Sequence, residues 1–388
     1  HYLDGSPIPG IKWEYEMIQQ ILPMLNVDML NQIAQQLVTD HNLIISFQAP
    51  EDEHVVLPTE AEAIEMLAAV KNEAIEAPVE EEIRTTLVED APKAGKIRKT
   101  AYNEILGTTE WTLSNGVRVI VKPTEFKQDE ILFYATSLGG YSQVQTEDLP
   151  SALLATDVVE LAGLADMNVT DLQKALTGKR VSLSPSISGN SESLSGSSTV
   201  KDLETLLQLN YLYFTAPRRD EESYQTLISI LESQLANRDK NPKVAFNDSI
   251  QMMTSNNSER TVIINKKLLE KVSLDKALEV YKARFANPAD FTFFFVGNVN
   301  PEDAAFKAQV CQWLGGLKAN KKKEQVVDHQ VRVPLGKQQN YFTQKMETKT
   351  ASNRIQYTSY DMPYTLANDL NMEMIGRILS TRYLESIR

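Results

Sequence analysis

Histidine and cysteine are the scarce residues of this chain, at four and one among 388. A single cysteine, Cys311, excludes an internal disulfide and any cysteine-rich metal site. It lies in the apolar pattern Val310-Cys311-Gln312-Trp313-Leu314 and reads as a buried, inert thiol. The histidines are His1, His41, His54 and His329, and none pairs with another at i, i+4. No helix therefore presents two imidazoles on one face, the arrangement that grips a metal from a helix. Nor is there a Gly-x-Ser-x-Gly elbow, a phosphate loop of Gly-x-x-x-x-Gly-Lys type or a cysteine–histidine pair. No apolar run approaches the ~18 residues of a membrane helix, so no membrane insertion is expected. Positive charge is short too. The net charge is -13, and the one basic run is Lys321-Lys322-Lys323, which argues against nucleic acid as a partner. The lack of disulfides leaves the periplasm and the cytoplasm equally open for a soluble chain.

What is present is an ordinary globular composition, 42% apolar and 23% charged, over a length that predicts two to four domains. Residues 51–91 stand apart. They hold thirteen acidic residues against Lys71 and Arg84, punctuated by Pro58 and Pro78, and predict a solvated connector that is helical near 60–77. A similar order of parts occurs on both sides of it. Asn26–Leu37 reads as a capped helix and Leu43–Phe47 as a strand. Later, Ser273–Tyr281 and Phe291–Val296 repeat that order, which suggests a duplicated domain. Both ends read as cut: His1 opens the chain without Met, and helical patterning runs on to Arg388 without a stop signal.

After the connector, Trp111–Leu113 and Val117–Val121 flank Ser114-Asn115-Gly116, a hairpin cue. A third strand, Ile131–Ala135, ends near Gly139-Gly140, and Ser151–Ala162 reads as a helix apolar on nearly every side, hence buried. Strands near 179–187 and 191–198 follow; the Ser- and Gly-rich stretch 182–198 reads as a hairpin with a polar outer face. Helices over 200–214 and 220–237 come next. Strands and helices mix without strict alternation, which predicts an α+β fold, an antiparallel sheet with helices packed on one face.

These parts, in this order, resemble the pitrilysin/insulinase family of zinc metallopeptidases, the inverzincins with an H-x-x-E-H signature. The resemblance rests on Leu113–Val119, Gly139-Gly140, the buried helix, and Phe295-Val296-Gly297-Asn298-Val299. It implies repeated domains of metallopeptidase type that close around a peptide. It also implies a partition: residues 1–55 as the end of a preceding peptidase-like domain, 56–104 as an acidic connector, 105–320 as a complete inactive domain, and 335–388 as the start of another. The family's metal motif belongs on the helix after Gly139-Gly140. Here Leu154 and Val158 stand at the two histidine positions and Asp157 at the glutamate position, so no zinc is expected on this chain. Glu232 falls near the family's third ligand position and reads as a surface carboxylate. The segment Leu379–Arg388 resembles the family's substrate-holding segment, with Arg388 matching its final arginine. The implied role is the non-catalytic half of a zinc metalloendopeptidase, a wall of the peptide chamber. Its partners would be a peptide substrate and a zinc-bearing catalytic half. The alternative is a peptidase-like scaffold with no catalysis.

Overall fold

In the computed structural model the described residues are 1–388 except 1, 2, 4, 6, 38–42, 50–54, 75–83, 85, 239–240, 321–322, 345–349 and 388. The chain divides into two compact units, His1–Glu81 and Glu82–Arg388. The first holds helices α1 (Ile11–Ile21), α2 (Val27–Leu37) and α3 (Glu60–Asn72). α3 begins with a reciprocal cap. Glu62 donates its backbone N–H to Thr59 Oγ1, and the Glu62 carboxylate accepts from the Thr59 N–H at 2.7 Å. The helix expected near 60–77 therefore forms, but the strand expected at 43–47 does not: residues 43–49 are irregular. The repeat is matched at its helix and not at its strand. A strand is held by the ladder of a neighbour, and apolar content alone does not supply one.

The second unit is built on a seven-stranded sheet. Its strands are β1 (Ile97–Asn103), β2 (Thr108–Leu113), β3 (Arg118–Pro123), β4 (Ile131–Leu138), β5 (Val181–Ile187), β6 (Ser191–Ser198) and β7 (Thr292–Gly297), in the spatial order β1-β2-β3-β7-β4-β6-β5. The helices are α4 (Leu149–Ala152), α5 (Ala155–Ala162), α6 (Val169–Ala175), α7 (Leu203–Thr215), α8 (Glu221–Leu235), α9 (Pro242–Thr254), α10 (Lys266–Leu269), α11 (Leu274–Arg284), α12 (Ala304–Trp313) and α13 (Leu366–Ile387).

Alternation decides which face is buried. Along β4, Ile131, Phe133 and Ala135 point inward, while Leu132, Tyr134 and Leu138 stay exposed. β7 buries Phe293 and Phe295 beside them, with the Phe133 and Phe295 rings 5.2 Å apart, edge to face. The helices cover this inner face: Phe306 of α12 packs on Trp111 and Phe295, and Phe214 of α7 on Phe291 and Phe293. A fully buried ring such as Phe293 or Phe295 contributes about 1.5–3 kcal/mol. The α+β reading holds.

Two features depart from expectation. The sheet is antiparallel at every pair but one: β7 runs parallel to β3, Arg118 opposite Thr292 through Pro123 opposite Gly297. β7 enters the centre of the sheet after the whole helical excursion, so its direction follows from α11 and not from a hairpin. The sheet also begins at Ile97, inside the 56–104 segment expected as connector. β1 has exposed residues at all positions but its ends, so it lacks the apolar alternation by which a strand is read.

The turns carry their own logic. Asn115 of the β2–β3 turn donates Nδ2 to the carbonyls of Leu314 and Leu317, at 2.8 and 3.0 Å, tying the hairpin to the end of α12. Gly140, at φ +54°, lies where a Cβ would fall 2.3 Å from the Ser188 carbonyl, so only glycine fits.

Candidate functional site

The helix expected over 151–162 is present but broken in two. α4 ends at Ala152, Leu154 takes φ -103° and ψ 5°, and α5 restarts at Ala155. Leu154 accepts the Val158 N–H at 2.9 Å, so the two side chains stack one turn apart on one face. Both are 2% exposed and belong to the core. This face of the helix is hydrocarbon at both positions. Isobutyl and isopropyl groups have no lone pair, and the residues do not fit a zinc ion.

The carboxylates of α5 sit differently. Asp157 is exposed to solvent on its outer side and Glu160 half-buried. Burial among protein atoms pushes both carboxyls above the usual carboxylate range. Ser184 opposes that rise at Glu160, and the Asp157 charge adds to it. Burial, and then the charge of Asp157, push the neighbouring Tyr141 phenol up to about 12. Beneath them Tyr213 donates its hydroxyl to the Leu183 carbonyl and Tyr281 to the Tyr213 carbonyl, both at 3.2 Å. Glu232, on α8, is exposed. α8 packs against α5, yet Glu232 and α5 do not form a ligand set. Among the described residues, no three His, Cys, Asp or Glu side chains cluster closely enough to hold a metal. Cys311 is partly buried, and burial raises its thiol pKa, in keeping with an inert role.

Arg388 lies outside the described residues, as do His1, His41 and His54. His329 is described and is partnered. Its Nε2 is 2.7 Å from the Ser142 carbonyl. A carbonyl only accepts, so the ring proton is on Nε2. Ser142 is a clasp: its hydroxyl donates to the Gly139 carbonyl at 2.5 Å and accepts the Val327 N–H at 3.0 Å. Arg284, 7% exposed at its side chain, pairs with Glu324, with Nη1 2.5 Å from Oε2. Residues 324–329 are thus strapped across the turn that follows β4. Under that turn Glu192, 1% exposed, accepts the Gly140 N–H at 2.7 Å.

Strap, turn and the end of α9 enclose an open cleft of about 690 Å³. Its walls are mixed: Leu149, Leu153, Val262 and Val331 on the apolar side, Ser142, Asn190, Gln251 and Thr254 on the polar side, and Arg260 within. Arg260 donates Nη1 to the Val144 carbonyl at 3.0 Å and to Thr146 Oγ1 at 3.1 Å, and Nη2 to the Tyr141 carbonyl at 2.7 Å. Burial lowers its pKa. Sequence reasoning missed the strap, the buried Glu192 and this arginine. Their partners lie far off in sequence, and no local pattern announces them.

A family model described as the peptidase M16 inactive domain matches residues 271–388. The zinc protease PQQL-like protein of Arabidopsis thaliana is 26% identical over 319 residues, covering 82% of this chain and 30% of that protein. The probable zinc protease PqqL of Escherichia coli strain K12 is 25% identical over 210 residues, covering 54% of this chain and 22% of that protein. The chain spans less than a third of the length of these curated relatives. Two solved structures share the fold. The periplasmic protease PqqL from Escherichia coli has a TM-score of 0.57 and 21% identity, over 85% of this chain and 36% of that one. A mutant of the ferredoxin protease FusC, in complex with Arabidopsis ferredoxin, has a TM-score of 0.53 and 20% identity, over 84% and 36%. Among the described residues no helix is long and apolar enough to cross a membrane. Residues 271–388 thus match the inactive-domain model of the M16 peptidases, and over most of its length the chain is similar to zinc-protease relatives and shares the fold of solved proteases.

Proposed function

We propose that this chain forms the wall of a peptide chamber opposite the zinc in a metalloendopeptidase, with the metal held by a catalytic half outside these residues. The observation that carries the reading is Leu154 and Val158, two aliphatic side chains on one helical face in an otherwise complete domain. A domain that keeps its sheet and its helix cover while its metal positions hold hydrocarbon retains the shape of the peptidase and not its chemistry. On this reading residues 1–55 close a preceding peptidase-like domain, the acidic stretch connects, the sheet domain runs to about 320, and 335–388 opens the next. Arg388, at the family's substrate-holding position, donates to a substrate carbonyl or to the oxyanion of the tetrahedral intermediate. The zinc supplies the activated water from the other half, and a peptide lies between the halves.

The test is metal content and complementation. Purified residues 1–388 are expected to hold less than ~0.1 zinc per chain after dialysis, as measured by atomic absorption. Peptide hydrolysis is expected only when a half carrying H-x-x-E-H is present, and Arg388→Ala should lower kcat/KM there by ~100-fold. Stoichiometric zinc on this chain, lost on changing His329 or Asp157, would sink the reading. So would a catalytic half that works equally well without this chain.

A further inference from the structure

Arg260 is held by oxygens that carry no formal charge. Two backbone carbonyls and one hydroxyl take three of its five N–H groups, and no carboxylate pairs with it among the described residues. Donor arithmetic leaves the Nε–H and one Nη2–H unspent. A guanidinium offers those two donors on its side edge as a fork for a carboxylate. The other charges lining the cleft do not compete for this role. Asp328 is engaged by Arg332 at 2.6 Å, and His329 is spent on Ser142. The scaffold has thus brought a cation into a partly dry cleft, fixed it there by three contacts, and given it no counter-charge. Leu153, Val262 and Val331 line the same cleft. The cleft is open to solvent, so a peptide segment has access to it from outside.

From this geometry we infer that the cleft is a peptide subsite that recognises an acidic side chain next to an aliphatic one, with the Arg260 guanidinium taking the carboxylate and the leucine–valine wall taking the neighbour. The inference rests on the peptide-chamber reading and narrows its substrate class. Recognition is by charge-assisted hydrogen bonds, which are shorter and stronger than neutral ones.

The probe is a labelled nonapeptide with a central Leu-Glu and an amidated C-terminus, titrated against residues 1–388 by fluorescence anisotropy. Its twin carries Leu-Gln, and a third peptide carries Leu-Gln with a free C-terminal carboxylate. The Leu-Glu peptide is expected to bind roughly 10- to 100-fold tighter than the Leu-Gln peptide. Arg260→Gln should abolish that preference, with a thermal melt to establish that the variant is folded. Gln251→Glu, an isosteric change that adds a carboxylate to the same cleft, should weaken the Leu-Glu peptide and leave the Leu-Gln peptide unaffected. Equal binding of the glutamate and glutamine peptides would overturn the acidic-side-chain subsite and leave the chamber wall standing. A free C-terminus that binds as tightly as the internal glutamate would overturn it too, by making the site one for chain ends. Failure of every peptide to bind would remove the chamber wall along with the subsite.

Discussion

Helices α5 and α13 are both rich in apolar residues, and they end in opposite environments. α5 buries Ala155, Val158, Val159 and Ala162 against the sheet domain, with α8 and α11 packed beside it. α13 leaves Leu370, Met374, Ile375, Ile378 and Leu384 between 48% and 59% exposed. The difference teaches that an apolar stripe specifies a need for cover and not the cover itself. In α5 the need is met by helices α8 and α11, which come from far along the chain, and by strand β5. That same cover sets the two helices apart: Leu154 just before α5 and Val158 within it are buried hydrocarbon, whereas Leu379 and Tyr383 of α13 stay exposed.

The strongest challenge to this contrast is a charge placed on each helix. Val159→Asp puts a carboxylate into a site that is 0% exposed and should cost about 4 kcal/mol or more, a large share of a domain's stability, read as loss of the cooperative melt. A folded variant with an unchanged melting temperature would mean that α5 is not packed as described.

A smaller effect sharpens the meaning of burial beside α5. Burial raises the pKa of Glu192, against the hydrogen bonds from Gly140 and Ser137 and the nearby Arg284 charge, which lower it. A carboxyl whose folded pKa exceeds its unfolded one binds more protons when folded. Its burden is absent at pH below the unfolded value and appears as pH rises through the folded one. Glu192→Gln should therefore melt higher than the parent at pH 7 and show no such advantage at pH 4. A variant that melts lower at both pH values would mean that the carboxylate is needed for its hydrogen bonds. The smallest effect belongs to α13. Ile378→Lys should change the stability of this chain by less than about 0.5 kcal/mol, because the side chain is 55% exposed. A large loss in a chemical denaturation curve would show α13 to be packed after all.

How much could be read in advance follows the range of each interaction. The β2–β3 hairpin was legible because Asn115-Gly116 sets the turn locally and its flanking strands alternate. The helix expected over 220–237 forms as α8, and its start is fixed locally by Asp220, which accepts the Ser223 N–H at 2.8 Å. β1 was not, because an edge strand with exposed side chains carries no alternation. The parallel seat of β7 beside β3 was not, because it joins residues some 170 positions apart. At the candidate site Leu154, Asp157 and Val158 could be named from the sequence once the helix was placed. Arg260 was not, because an arginine in a polar stretch looks the same whether or not a carboxylate awaits it.

By itself, then, the order of residues determined the locally signalled segments, such as the β2–β3 hairpin and the helix over 151–162, and that this helix carries leucine and valine at 154 and 158 with no histidine. Side-chain chemistry and backbone preference act over a few residues and need no distant partner. Only the assembled tertiary structure decided that those aliphatic groups lie inside, that Glu192 is buried under a glycine turn, and that Arg260 meets three oxygens and, among the described residues, no carboxylate. Each of those facts depends on atoms brought together by the sheet from more than fifty residues away.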